Sequence, residues 1–204
     1  CLQVSMIGYT NAGKSTIMNA LTNSGLLVED RLFATLDSTT RLLEEDSRPK
    51  VLLSDTVGFI SNLPHEVVAA FRSTLSTLKD ADLLLHILDA SKDVDVHMET
   101  TARVLKDLDA IRIPILHVFN KIDRISQKKL LILKKLYPDA LFISATDSNN
   151  GSLKSSNLVN VITEKIVLFF NERMKTVKIC LDYIHSQQLA DIYEWTRVDN
   201  IDYQ

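Results

Sequence analysis

The stretch GYTNAGKST, residues 8–16, constrains this chain more than any other. Gly8, Gly13, Lys14 and Ser15 satisfy the spacing G-x-x-x-x-G-K-[ST]. The context required by that spacing is present too: the apolar run LQVSMI reads as a strand before it, and a helix-compatible run follows. Such a loop wraps its backbone around phosphate oxygens. Successive N–H groups, here those of Asn11, Ala12, Gly13, Lys14, Ser15 and Thr16, then face the negative charge together with a helix N-terminus. Lys14 is placed to reach the terminal phosphates, and the Ser15 hydroxyl to join a Mg²⁺ shell. A chance Gly-Lys turn at a helix start is the bland alternative, and the flanking strand and helix argue against it. A phosphate loop selects a nucleotide without selecting its base.

The rest of the chain alternates in a way that fixes the fold class. Apolar runs suited to buried strands fall at residues 3–7, 51–54, 83–89, 113–120 and 140–143, with a weak edge strand near 41–43. Helical periodicity covers residues 16–24, 66–79, 94–111, 126–136 and 153–171. Strands alternating with helices predict an α/β fold of the P-loop NTPase type, a mostly parallel six-stranded sheet with helices on both faces. With 204 residues, 46% of them hydrophobic, the chain can bury one substantial core. Residues 1–172 read as one nucleotide-binding domain. Residues 173–204, with the alternation VKICLDY and then QQLADIYEW, read as the start of a small second unit that has been cut off.

Charge and composition exclude several classes. The formal net charge of −3 gives no cationic field to attract DNA, and no apolar run approaches the ~18 residues of a membrane span. Cys1 and Cys180 lack metal-ligand spacing, which fits a reducing, cytoplasmic setting; separately, the chain is expected to be monomeric.

The base is read further downstream. Asn120, Lys121 and Asp123 form NKID directly after the apolar strand IPILHVF. A carboxylate at Asp123 accepts from N1–H and the 2-amino group of guanine, donors that adenine does not offer, and two charge-assisted bonds suffice to choose the base. The Lys121 stem is expected along the purine face, with Asn120 tying its loop to the phosphate loop. Ser144-Ala145, after the run ALFI, supplies a backbone N–H for the guanine O6. Asp55 ends the second apolar strand, with Gly58 three residues on. This D-x-x-G pair holds Mg²⁺ through the carboxylate and senses the terminal phosphate through the Gly58 N–H. Thr35, Thr39 and Thr40 compete to close over the metal; Thr35 is favoured because it leaves a few residues before the edge strand.

In this order GYTNAGKST, Thr35, DTVG, NKID and SAT resemble translation-factor-type GTPases. LFATLDSTTR, DTVGFISNLPHEVVAAFRSTL and ADLLLHILDAS are similar to the HflX family of ribosome-associated GTPases over roughly residues 2–170. The resemblance implies a Ras-like G domain, GTP hydrolysis to GDP and phosphate with Mg²⁺, and association with the large ribosomal subunit, with subunit splitting or rescue of stalled ribosomes as the usual role. It also implies an N-terminal domain ahead of this one that carries much of the ribosome contact. Phe59 stands where many Ras-like GTPases carry a water-orienting glutamine, and a phenyl ring cannot replace it. In related GTPases with this departure an asparagine at the place of Asn11 helps bind a monovalent cation, commonly K⁺, which would neutralise charge during transfer; capping the loop is the alternative role. Lys14, Asn11 and Thr35 are therefore the expected catalytic set. The rival function is a GTP-sensing binding module with negligible hydrolysis.

Other residues attract less. His65 opens a helix and His86 lies within an apolar strand, so both read as structural. Arg72 has no assigned role. Lys128, Lys129, Lys134 and Lys135 form a basic helical face, solvated in the ordinary case, with ribosomal RNA as a further option.

Overall fold

The computed structural model describes residues 2–22, 39–43, 50–55, 76–145, 153–181, 188–189, 192–193 and 196–201. Its elements run β1 (Leu2–Gly8), α1 (Lys14–Thr22), β2 (Thr39–Leu42), β3 (Val51–Asp55), β4 (Leu83–Asp89), α2 (Val94–Asp107), β5 (Ile115–Asn120), α3 (Gln127–Leu136), β6 (Leu141–Phe142) and α4 (Leu153–Asn171). Short 3₁₀ turns occupy Ser76–Asp80 and Ile122–Arg124. Expectations at Thr35, Gly58, Phe59, His65 and Arg72, and at the first ten residues of the helix expected over 66–79, lie outside the described residues.

The six strands form one sheet in the order β2-β3-β1-β4-β5-β6. All neighbours are parallel except β2, which runs antiparallel to β3 at the edge. β4 is buried along its whole length, as a strand covered on both faces must be, and this is why LLLHILD reads as a run and not as an alternation. One face is covered by α1 and α4, where Ile17, Met18 and Leu21 meet Ile162, Ile166 and Phe170 over Val4, Met6, Leu53 and Leu85. The other receives Leu105 of α2 with Leu108 and Ala110, packed on Ile7 and Leu84.

From β1 the chain order proceeds to β3 on one side and to β4 and β5 on the other. Ligands of open parallel sheets bind in the crevice beyond the strand carboxyl ends at such a reversal. Strand register brings the relevant residues to that edge: Met6 pairs with Asp55, Gly8 with Ile87, and Asp89 with Asn120.

Local chemistry adjusts the predicted boundaries. The helix expected to run to residue 111 ends at Asp107. Asp109 turns left-handed at φ 55, the Asp109 N–H donates to Lys106 O at 3.1 Å, and the Ala110 N–H to Leu105 O at 2.8 Å. These two bonds are the Schellman closure, with Asp109 in the place usually given to glycine. Asp93 caps the start of α2 through the Val96 N–H, and Ser126 caps α3 through the Lys129 N–H. β5 begins at Ile115 and not 113, because Pro114 has no N–H to give the ladder and only its carbonyl accepts, from Leu84. The strand expected at 140–143 shrinks to two residues. Of the alternation VKICLDY, residues 177–183, the described residues 177–181 make no ladder, and Val177, Ile179 and Leu181 are exposed. Alternation needs a partner edge to become a strand. Among the described residues no helix is long and apolar enough to cross a membrane.

Candidate functional site

The loop between β1 and α1 is shaped by three left-handed residues, Asn11 at φ 61, Gly13 at φ 101 and Gly8 at φ 147. Asparagine tolerates that region better than most side chains. Gly8 has no alternative: a Cβ there would lie 2.2 Å from the Ile87 carbonyl oxygen of β4. At Gly13 the obstacle is Asn120, whose Nδ2 would be 2.2 Å from an added Cβ. α1 opens at Lys14, two residues earlier than the periodicity indicated, so its first-turn N–H groups belong to the loop itself.

Lys14 is 7% exposed. Its ammonium donates to Gly8 O at 3.2 Å and Tyr9 O at 3.0 Å, which suspends the charge inside the ring of the loop. Burial pushes its pKa below the ordinary lysine value, and the Asp55 carboxylate partly offsets that. The Ser15 hydroxyl donates to Asp55 Oδ2 at 3.1 Å. Ser15 and Asp55, predicted from separate motifs to share a metal, are thus in direct contact. A hydroxyl and a carboxylate are hard oxygen donors of the kind Mg²⁺ accepts alongside phosphate oxygens, so the residues present fit that ion. Among the described residues no group of three or more His, Cys, Asp or Glu could hold a metal unaided.

NKID approaches this loop from β5. Asn120 is buried and satisfied three ways: Nδ2 donates to Ala12 O at 2.9 Å, while Oδ1 accepts from the Lys121 N–H at 2.8 Å and the Ala145 N–H at 3.0 Å. The expected tie to the phosphate loop is therefore present. Lys121 is left-handed at φ 61, and its ammonium donates to Asn11 O at 2.6 Å and Asp89 Oδ2 at 2.8 Å. The Asp123 carboxylate is partly exposed and accepts from the Ser144 hydroxyl. One expectation needs amending. The Ala145 N–H, assigned to the guanine O6, is engaged by Asn120, so it meets a base only by sharing or exchanging that bond. Thr39 and Thr40 lie in β2, opposite Asp55 and Ser54.

Two features escaped the sequence reading. Asp89, which ends β4, holds Lys121 and accepts from both the N–H (2.9 Å) and the hydroxyl (2.6 Å) of Ser91. Burial alone would raise its carboxyl, but the bonds from Lys121 and Ser91 outweigh that and hold it below the usual range. An aspartate closing an apolar strand was the signal available. Tyr9 of the phosphate loop also stacks on His97 of α2, centroids 3.9 Å apart and planes at 13°. His86 is buried, pairs with the Thr101 hydroxyl at 3.0 Å, and has its pKa lowered to about 3 by burial and then by His117, His97 and Lys14. It is a neutral core residue of β4.

The family model described as 50S ribosome-binding GTPase matches residues 3–121. Among curated relatives, the GTPase HflX of Gluconacetobacter diazotrophicus is 42% identical over 97% of this chain and 42% of its own length. That of Caldanaerobacter subterraneus subsp. tengcongensis is 55% identical over 59% of this chain and 28% of its own length. This chain thus spans less than half of each. Among solved structures, a GTP-binding protein from the hyperthermophilic archaeon Sulfolobus solfataricus in complex with GDP aligns with a TM-score of 0.64 at 27% identity, over 85% of this chain and 53% of that one.

Proposed function

Because the chain belongs to the 50S ribosome-binding GTPase family, on its HflX branch, we propose that it is the guanine-nucleotide-binding and hydrolysing part of a ribosome-associated switch. The observation that carries this reading is the direct joining of the base-reading and phosphate-holding loops, through Asn120 to Ala12 and Lys121 to Asn11. A nucleotide spanning both loops meets groups whose spacing is already set.

Each side chain then has a task. Asp123, steadied by Ser144, accepts from the two donors on the guanine edge, and the Lys121 stem lies along the ring. The loop from Gly8 to Thr16 surrounds the phosphates with N–H groups, and Lys14 turns its ammonium from Gly8 O and Tyr9 O toward phosphate oxygens. Ser15 and Asp55 would hold Mg²⁺, with Thr35 closing over it; Thr39 and Thr40 are already paired in β2 with Asp55 and Ser54, which supports Thr35 over them. The metal supplies charge neutralisation between the outer phosphates. Gly58 senses the terminal phosphate. Asn11 is exposed while its carbonyl is held by Lys121, so its side chain is available to a monovalent cation such as K⁺ during cleavage. The partner is the large ribosomal subunit, including its RNA, with splitting or rescue of ribosomes as the outcome; the working form is a cytoplasmic monomer.

The test is nucleotide binding followed by single-turnover cleavage. Two charge-assisted bonds to guanine predict GTP binding at least about a hundredfold tighter than ATP. Equal or tighter ATP binding refutes the base assignment. Phosphate release should rise with large subunits and in KCl over NaCl. No cleavage in any condition leaves only the sensor, and equal rates in the two salts remove the cation.

A further inference from the structure

We propose that Asp89 is a positioning residue for the nucleotide site, holding Lys121 and, through it, Asn11 in the geometry that receives a guanine nucleotide. The inference rests on the guanine-nucleotide reading above and adds a residue from a strand that carries none of the motifs.

Lys121 is long and flexible, and free in solvent it would lose considerable side-chain entropy on lying flat beside a purine. In this fold that freedom is already lost. Asp89 Oδ2 takes the ammonium at 2.8 Å, the Asn11 carbonyl accepts from the same ammonium at 2.6 Å, and the Lys121 backbone N–H donates to Asn120 Oδ1 at 2.8 Å. The stem is fixed at both ends. Asp89 is oriented in turn, since Ser91 occupies Oδ1 with two bonds and turns Oδ2 toward Lys121. The frame behind it is rigid: Asp89 and Asn120 are register partners in adjacent parallel strands, and the Ala90 N–H donates to Asn120 O at 2.9 Å. The lysine and aspartate side chains are only 15% and 7% exposed, so solvent screens the pair far less than a surface ion pair.

The chain of contacts Asp89, Lys121, Asn11 joins the end of β4 to the base loop and then to the left-handed residue of the phosphate loop. Asp89 touches neither substrate nor reacting atoms in this role. Its removal should loosen the base platform and the Asn11 turn together, while Lys14, Ser15 and Asp55 keep their own contacts.

The experiment is a double-mutant cycle on the intact protein, reading GDP and GTP affinity and the GDP dissociation rate for wild type, Asp89→Asn, Lys121→Met and the double variant. Asn keeps the shape of Asp89 and its acceptor for Ser91, while Met keeps a stem and removes the ammonium. Asp89→Asn should weaken GDP and GTP alike by roughly ten- to a hundredfold, mostly as faster dissociation. In the Lys121→Met background the same change should cost less than about threefold, because the partner through which it acts is gone. The single-turnover rate at saturating GTP should fall less than the affinity in Asp89→Asn, because Asp89 reaches the transfer chemistry only through Asn11. An equal loss in both backgrounds, tracking the urea midpoint, makes Asp89 merely structural and overturns the proposal, as does a lowered rate at unchanged affinity. A wild-type protein that binds no guanine nucleotide refutes the function proposed above. A wild type that binds tightly beside an unaffected Asp89→Asn refutes this inference alone.

Discussion

Substituting Gly8 by alanine tests whether the start of the phosphate loop is fixed by close packing of two backbones. The added methyl group would lie 2.2 Å from Ile87 O, whereas real Cβ atoms essentially never come within 3.0 Å of another atom in this way. β1 and β4 must therefore part by about 1 Å at the Gly8 and Ile87 register pair, or the loop must rotate away. Neither is easy, since the obstacle is main chain in a strand buried along its whole length. Holding alanine at φ 147 costs about 1 to 3 kcal/mol, and overpacking a well-filled site about 1 to 3 more. The reduced entropy of the unfolded alanine chain returns only about 0.4 to 1 kcal/mol. A net loss of about 2 to 5 kcal/mol follows, a large share of the roughly 5 to 15 kcal/mol that holds a domain together. Urea unfolding followed by far-ultraviolet circular dichroism should show the midpoint falling by about 1 to 2.5 M at unchanged slope, for a slope near 2 kcal/mol/M. Nucleotide affinity should fall with it, because the loop begins at this residue. A midpoint within about 0.2 M of wild type would mean that the strands yield freely there and would falsify the close-packing explanation.

His86 stays neutral in the fold, with its pKa lowered to about 3, while in the unfolded chain it titrates near 6.5. Only the unfolded state gains this proton as pH falls, so its contribution is complete above pH 6.5 and declines toward pH 3. By pH 5 about 2 kcal/mol of it is lost, and the gap in urea midpoint between pH 7.5 and pH 5 should narrow in His86→Leu. An unchanged gap would assign the acid sensitivity elsewhere. Asp123→Asn should weaken GTP binding and favour xanthosine triphosphate, because an amide donates to the 2-carbonyl where the carboxylate accepted from the 2-amino group; competition of the two nucleotides against a labelled GDP reads this out, and retained GTP preference would remove Asp123 from base recognition.

The strands and both loops were legible because their signals are local. A buried parallel strand must be apolar, and the residues that hold phosphate and guanine follow strands at short fixed spacings. Lys14, Ser15, Asp55, Asn120 and Asp123 could therefore be located one motif at a time, and the contact of Ser15 with Asp55 joins two motifs forty residues apart. Legibility fails where the deciding partner is distant or absent. Asp89 gains its meaning only when β4 and β5 lie side by side, an adjacency no spacing within HILDAS encodes. The end of α2 was missed because an aspartate took the left-handed turn that glycine usually announces. Residues 177–181 alternate as an ideal strand should, yet pairing is decided by an available edge and not by the segment's own pattern.

The absent Cβ of Gly13 leaves room for the amide of Asn120, and that amide in turn holds Ala12. Base reader and phosphate cradle are thereby one mechanical part. A part fixed in this way serves GDP and GTP equally and cannot tell them apart. Discrimination between the two must be registered on the far side of the loop, where Ser15 meets Asp55 at the end of β3, and it is from that end that a message about the terminal phosphate can leave the domain.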